Sequence, residues 1–177
     1  MINSSLITQN KILSDISIYT RCGFVLTEFE LEKESRMYCA CTFKLDETKI
    51  RFRTAKTTPT KSGQFVTVWR RSSQGPIVAF DKEDDIDFVI ISTHKEGKSG
   101  HFIFPKSVLI AQKIISENTK GGKLGFRVYP PWDIAANRQA SKSQQWQTRY
   151  FFNIIDEQMT NPKAIHKLLE TSAGNTL

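Results

Sequence analysis

From Lys49 to Thr54 the chain alternates strictly, with Ile50, Phe52 and Thr54 on one parity and Lys49, Arg51 and Arg53 on the other. Two is the period of a β-strand, whose successive side chains point to opposite faces. The alternation predicts a strand over 49–56 with one apolar and one basic face, and it commits the chain to a sheet. A strand over 37–45 reaches it through an Asp46-Glu47-Thr48 turn. Further strands are expected over 64–71, 87–92, 101–105 and 124–129, separated by Gly, Pro and Asp-rich breaks.

Helical spacing appears at three places. Leu6, Ile7, Ile12, Leu13, Ile16 and Tyr19 predict an N-terminal helix within 1–23, with Gly23 where a C-cap glycine belongs. Val108, Leu109, Ala111, Ile114 and Ile115 predict a helix over 106–116. Trp146, Tyr150, Phe151, Ile154 and Ile155 predict a C-terminal helix over 139–159, and the tail 172–177 is expected to fray. The sum is one α/β domain over 1–177, a mixed sheet over 37–133 flanked by helices. Pro130-Pro131 closes the sheet.

Composition narrows the class. With 39% hydrophobic and 24% charged residues in 177, the chain belongs with globular proteins rather than disordered ones. No apolar run reaches the length of a membrane span, and MINSSLITQNKILSD lacks the basic and apolar regions of a secretory signal. The expected compartment is the cytoplasm, with no membrane partner. Cys22, Cys39 and Cys41 are an odd count without disulfide spacing, which suits a reducing environment.

Charge is unevenly spread. Residues 44–71 carry eight basic and two acidic side chains, 72–97 two basic and six acidic, and 98–149 nine basic and two acidic. Two basic blocks around an acidic insert are the pattern of a polyanion binder, or of a solvated basic surface. Lys49, Arg51 and Arg53, continued by Lys56 and Lys61, form a row of cations at strand spacing that suits a phosphate backbone. A solvent-facing edge strand charged against aggregation is the alternative. Arg70, Arg71, Lys120, Lys123 and Arg127 add to the same reading. Tyr129 and Trp132 offer rings for a base, although Trp132 reads more simply as a staple between loop and core. Lys142, Gln145 and Arg149 share one side of the last helix and suit a groove, or a solvated face.

Several blocks together resemble one family. They are Arg53-Thr54-Ala55-Lys56-Thr57-Thr58-Pro59-Thr60-Lys61-Ser62-Gly63-Gln64-Phe65-Val66, Trp69-Arg70-Arg71, Phe102-Ile103-Phe104-Pro105-Lys106, Gly125-Phe126-Arg127-Val128-Tyr129-Pro130-Pro131-Trp132-Asp133 and Gln145-Trp146-Gln147. In this order they resemble the MepB family. The resemblance implies a bacterial cytosolic protein with a restriction-endonuclease-like fold and no firmly assigned reaction. Such a core has the order α-β-β-β-α-β, which the N-terminal helix and the elements at 64–71, 87–92, 101–105, 106–116 and 124–129 reproduce, leaving 38–56 as an extra hairpin.

A nuclease of that class needs an acid on its second core strand and an acid-x-lysine pair on its third, to hold a divalent cation and stabilise charge. Asp87 and Lys106 stand near two of those positions, but Phe104 occupies the place of the middle acid and His101 is the nearest polar substitute. The catalytic candidates are therefore only Asp87, His101 and Lys106. Gly97-Lys98-Ser99 ends like a phosphate-binding loop but lacks its first glycine, Ser92 standing there. His94, His101 and His166 show neither metal-ligand spacing nor an obvious nucleophile partner.

The expected function is nucleic-acid binding, to duplex DNA in the first instance, on a catalytically degenerate core without a cofactor. One alternative is a magnesium-dependent nuclease with a rearranged carboxylate set. Another is a protein-interaction accessory of an efflux or stress locus, meeting an acidic partner.

Overall fold

The computed structural model describes residues 4–118 and 120–173. The chain opens with helices α1 (Ser4–Ile16) and α2 (Ile18–Arg21), then strands β1 (Leu26–Leu31), β2 (Cys41–Leu45) and β3 (Thr48–Thr54). Short strands follow: β4 (Lys56–Thr58), β5 (Lys61–Thr67), β6 (Trp69–Arg71) and β7 (Ile77–Ala79). Next come β8 (Phe88–Lys95), β9 (Lys98–Pro105), α3 (Lys106–Ala111), β10 (Gly125–Val128) and α4 (Arg138–Gln147). The last elements are β11 (Phe151–Ile155), β12 (Gln158–Met159) and α5 (Pro162–Ala173).

A seven-stranded mixed sheet in the order β1-β2-β3-β8-β9-β11-β12 runs through the middle. Its pairs are antiparallel except β3 with β8, where Ile50 to Thr54 lie beside Phe88 to Ser92. Phe88-Val89-Ile90-Ile91 is apolar at every position because β8 is covered on both faces. Ile50, Phe52, Phe88, Ile90 and Ile103 pack on one face with Ile12, Ile16 and Tyr19 of the N-terminal helices and Ile165 and Leu169 of α5. Val89, Ile91, Phe102 and Phe104 pack on the other, against Val66, Leu109, Phe126 and Val128. The second layer there is a three-stranded sheet, β10-β5-β4.

The expected class, one domain with a mixed sheet between helices, is the observed one, but its core is differently assembled. The 38–56 hairpin is no addition: β2 and β3 sit inside the main sheet. The strands expected over 64–71 and 124–129 belong instead to the smaller sheet, apart from Trp69–Arg71, which pairs with β7. The helix expected over 106–116 ends at Ala111, and Lys113 adopts a left-handed φ of 56°. The helix expected over 139–159 ends at Gln147, followed by a 3-10 turn and β11. Phe151-Phe152-Asn153-Ile154-Ile155 is aromatic and β-branched, and β9 offers it an edge. The Phe151 ring lies over Gly100, where any Cβ would collide with it. Gly23 ends α2 with a φ of +96°, and α5 reaches Ala173, so of the tail expected to fray residues 174–177 lie outside the described residues.

Candidate nucleic-acid interface

The two basic blocks fare differently. In the first, Arg53 reaches Glu32 with both terminal nitrogens, at 2.8 and 2.7 Å, and Arg51 adds a contact at 3.0 Å. Lys49 bonds Asp85 at 2.6 Å, Arg70 bonds Asp84 at 2.7 Å and Arg71 bonds Glu34 at 2.8 Å. Lys56 lies over the Tyr38 ring, 5.4 Å from its centroid. The parity read at 49–54 is correct, but the basic face is engaged by carboxylates, with Lys49 and Arg51 only partly exposed. Arg53 is 0% exposed and touches the Phe80 ring, so it cannot meet a phosphate. Acidic residues from 28–34 and 81–87 fold back and pair with six of the eight cations of this block; among the described residues Lys56 and Lys61 form no ion pair.

The second block keeps its charge. Among the described residues none of its nine cations, Lys98 to Arg149, forms an ion pair. Its two acids are taken by lysines from outside it: Lys82 bonds Glu117 and Lys95 bonds Asp133, each at 2.7 Å. Lys142 and Gln145 are exposed on α4, and Arg149 is exposed in the 3-10 turn that follows it.

Beside these residues a cavity of about 580 Å³ opens between the small sheet and α4, with no carboxylate among the described residues that line it. Its cations are Lys61, Lys123 and Arg127, and its rings include Tyr129 and Trp146. Arg127 projects from β10 and donates to Thr58 Oγ1 at 2.7 Å and to the carbonyls of Ser62 and Gly63 at 3.3 and 3.2 Å. All three acceptors are neutral, so the guanidinium is oriented without being cancelled. Gly63, with a φ of +72°, lets the Tyr129 ring lie against the chain, since a Cβ there would stand 2.6 Å from the ring. Helix α4 is fixed to the open edge of β10 by Gln147, whose buried amide accepts from Tyr129 N at 2.8 Å and donates to Arg127 O at 2.9 Å. Gln144 holds the following loop through Pro130 O and Asp133 O, and Asn137 caps the helix by accepting from Ala140 N. Trp132 packs edge-on to Phe151 at 5.2 Å, as a staple does.

Of the catalytic candidates, the fold brings Asp87 and Lys106 together at adjacent strand ends and leaves His101 apart. Asp87 accepts from Lys49 N at 2.8 Å, while Lys106 donates its backbone N–H to Asp87 O and its ammonium to Asp84 O. His101 lies opposite Ser92, about 16 Å along the sheet from Asp87 at strand rise. It is fully buried, its Nδ1 meets the Tyr19 hydroxyl at 2.8 Å, and burial pushes its pKa down to about 4. Phe104 is packed between Phe102 and Trp146. Among the described residues no three His, Cys, Asp or Glu side chains are grouped to hold a metal ion.

Sequence reading missed one polar cluster. Ser92 Oγ lies 2.8 Å from His94 Nε2, and Asp15 accepts from Ser92 at 3.2 Å and contacts His94 at 3.4 Å. Burial works to raise the Asp15 pKa, but the His94 hydrogen bond and the charges of His101 and His94 outweigh it, leaving the carboxyl below its usual range. The signal was the i, i+2 spacing of Ser92 and His94 on one strand face; Asp15 arrives from a helix 77 residues away. Ser92 is 0% exposed, which rules it out as a nucleophile for an outside substrate in this arrangement.

No helix among the described residues is long and apolar enough to cross a membrane. The MepB-like family model matches residues 32–153. The crystal structure of MepB is 34% identical and superposes with a TM-score of 0.71, covering 86% of this chain and 97% of its own. The structure of a bacterial homing endonuclease shares the fold at a TM-score of 0.51 and 10% identity, over 99% of each chain. No curated protein matches. Since the family model spans more than half of the sequence and the MepB structure agrees over nearly its whole length, the chain belongs to the MepB-like family.

Proposed function

We propose that the protein binds nucleic acid, duplex DNA among its ligands, chiefly through phosphates, on the surface built by residues 98–149 together with Lys61. The observation that carries the reading is the contrast between the two basic blocks: six of the eight cations of the first are paired with acids of the fold, whereas no cation of the second forms an ion pair among the described residues. Holding like charges close without counter-ions opposes folding, and a polyanion relieves it. The fold shared with a homing endonuclease supports DNA as the polyanion.

The test is titration of a labelled duplex at rising salt. Neutralising phosphates releases counter-ions, so the log–log slope of affinity against salt is expected on the order of −4 to −7 for five to eight contacts. Absence of binding at low salt, or affinity indifferent to salt, refutes the proposal.

A further inference from the structure

We infer that the groove between β10 and α4 seats one unpaired nucleotide, its phosphate among Lys61, Lys123 and Arg127 and its base against Tyr129 and Trp146. The inference rests on the nucleic-acid reading and narrows it to a site and a ligand form.

Shape is the first support. Stacked, paired bases present a duplex's phosphates outward, and an open basic surface suffices to meet them. A cavity of about 580 Å³ is instead of the size that encloses a small ligand, within the roughly 300–1,000 Å³ of such pockets. An unstacked nucleotide is the part of a nucleic acid that fits inside.

Chemistry is the second. Among the described residues the lining has three cations and no acid, which selects an anion. Arg127 is held by neutral oxygens and keeps its charge, while Lys61 and Lys123 are exposed and their ammonium groups have no partner among the described residues. The two rings are braced from behind, Tyr129 by Gly63 and Trp146 by Phe104 at 5.2 Å between centroids. Rings fixed in place lose little freedom on stacking, and stacking tolerates any base. Gln139 is exposed on the groove wall and can donate to and accept from a base edge. Flanking phosphates find Lys142 on α4 and Arg149 in the turn after it, so the nucleotide belongs to a strand rather than to a free monomer.

The experiment compares labelled dT12 with a blunt hairpin duplex of equal phosphate number, its loop a hexaethylene glycol linker without bases, using the parent and Gln139→Glu. Gln139 is exposed, so its variant puts a carboxylate into the groove with little effect on folding, and circular dichroism checks that the variant folds. The parent is expected to bind dT12 at least about fivefold more tightly than the hairpin, since stacking one base is worth about 5- to 150-fold. Gln139→Glu should remove that preference, lowering dT12 affinity more than hairpin affinity. Oligo(U) in parallel tells RNA from DNA as the source of the strand, and dTMP as competitor tests the free nucleotide. Equal binding of dT12 and hairpin, with both shifted alike by Gln139→Glu, overturns the groove inference and leaves the phosphate reading standing. Displacement of dT12 by dTMP at equal concentration overturns the assignment to a strand. Failure of both oligonucleotides to bind at low salt refutes the nucleic-acid reading itself.

Discussion

Arg53 and Glu32 form a two-pronged ion pair in which the guanidinium is wholly buried and the carboxylate nearly so, with side-chain exposures of 0% and 16%. Parallel N–H donors on two carboxylate oxygens are the strong form of this contact. The pair ties the end of β1 to β3 across the sheet. Arg53→Gln leaves Glu32 with Arg51 alone and should cost about 3–5 kcal/mol, the range for breaking a buried pair from one side. Urea unfolding measures it. Arg71→Gln, breaking an exposed pair with Glu34, should cost at most about 1 kcal/mol. Equal losses in the two variants contradict the assignment of Arg53 to the scaffold.

Binding should divide along the same line. Lys123→Gln is expected to weaken DNA binding for every sequence and to flatten the salt slope by about one. Lys49→Gln should leave both unchanged, because Asp85 already holds that ammonium at 2.6 Å. Anisotropy titrations of the two variants at three salt concentrations are sufficient, and a larger effect from Lys49 returns the interface to β3.

His101 makes stability depend on pH. Its ordinary value of 6.5 falls to about 4 in the folded protein, because burial disfavours the imidazolium. Below 6.5 the unfolded chain takes up a proton that the folded protein refuses until about 4, so stability drops across that window as pH falls. The loss approaches about 1.36 kcal/mol per unit. Asp15 acts lower: its depressed pKa stabilises the fold above the usual carboxylate range and loses that effect only as pH falls through its folded value. In His101→Gln, which keeps an acceptor for Tyr19, the dependence between pH 6.5 and 4 should flatten. An unchanged profile by urea unfolding at pH 7, 6, 5 and 4.5 removes His101 as its source.

How far the sequence could be read follows from which interactions are local. The parity of 49–54, the unbroken apolar run of β8 and the cap at Gly23 depend on neighbours along the chain, and all are present in the fold. Strand β1 was invisible because Glu28, at a φ of 51°, interrupts its alternation and two glutamates sit in it. The 139–159 segment misled because Trp146, Tyr150, Phe151 and Ile154 fit a helical spacing by coincidence, while β9 supplied the edge that made 151–155 a strand. Charge by segment was informative, yet sequence could not say that the acids of 28–34 and 81–87 would fold onto the first basic block and leave the second bare. Lys123 and Arg127 were legible as site candidates; Gln139 and Trp146 joined them only when α4 met β10.

That meeting depends on Gln147. Its amide substitutes for a fourth strand along β10, satisfying Tyr129 N and Arg127 O. Gln147→Leu keeps the volume but strands both backbone groups, at about 1–3 kcal/mol for each. If α4 then loosens, hydrogen exchange at Tyr129 N should accelerate well before that of β8. Protection at Tyr129 equal to the parent's contradicts this account of how the helix is docked.

Incubation with magnesium or manganese tests whether the core retains chemistry. Metal-dependent strand cleavage needs carboxylates converging on one cation and a nearby lysine to stabilise charge. Here Asp87 is engaged by Lys49 N, the Lys106 ammonium by Asp84 O, and Phe104 fills the place two residues before Lys106 with a ring stacked on Phe102. Supercoiled plasmid should therefore remain intact over hours at protein excess, with either metal and at pH 7 or 8.5. The control that gives the result meaning is Asp87→Ala: its loss of the contact to Lys49 N should lower stability by about 1–3 kcal/mol without altering the plasmid. Nicking by the parent that vanishes in Asp87→Ala, with the fold intact, would establish a nuclease built on a different carboxylate set and overturn the reading of a binding protein alone.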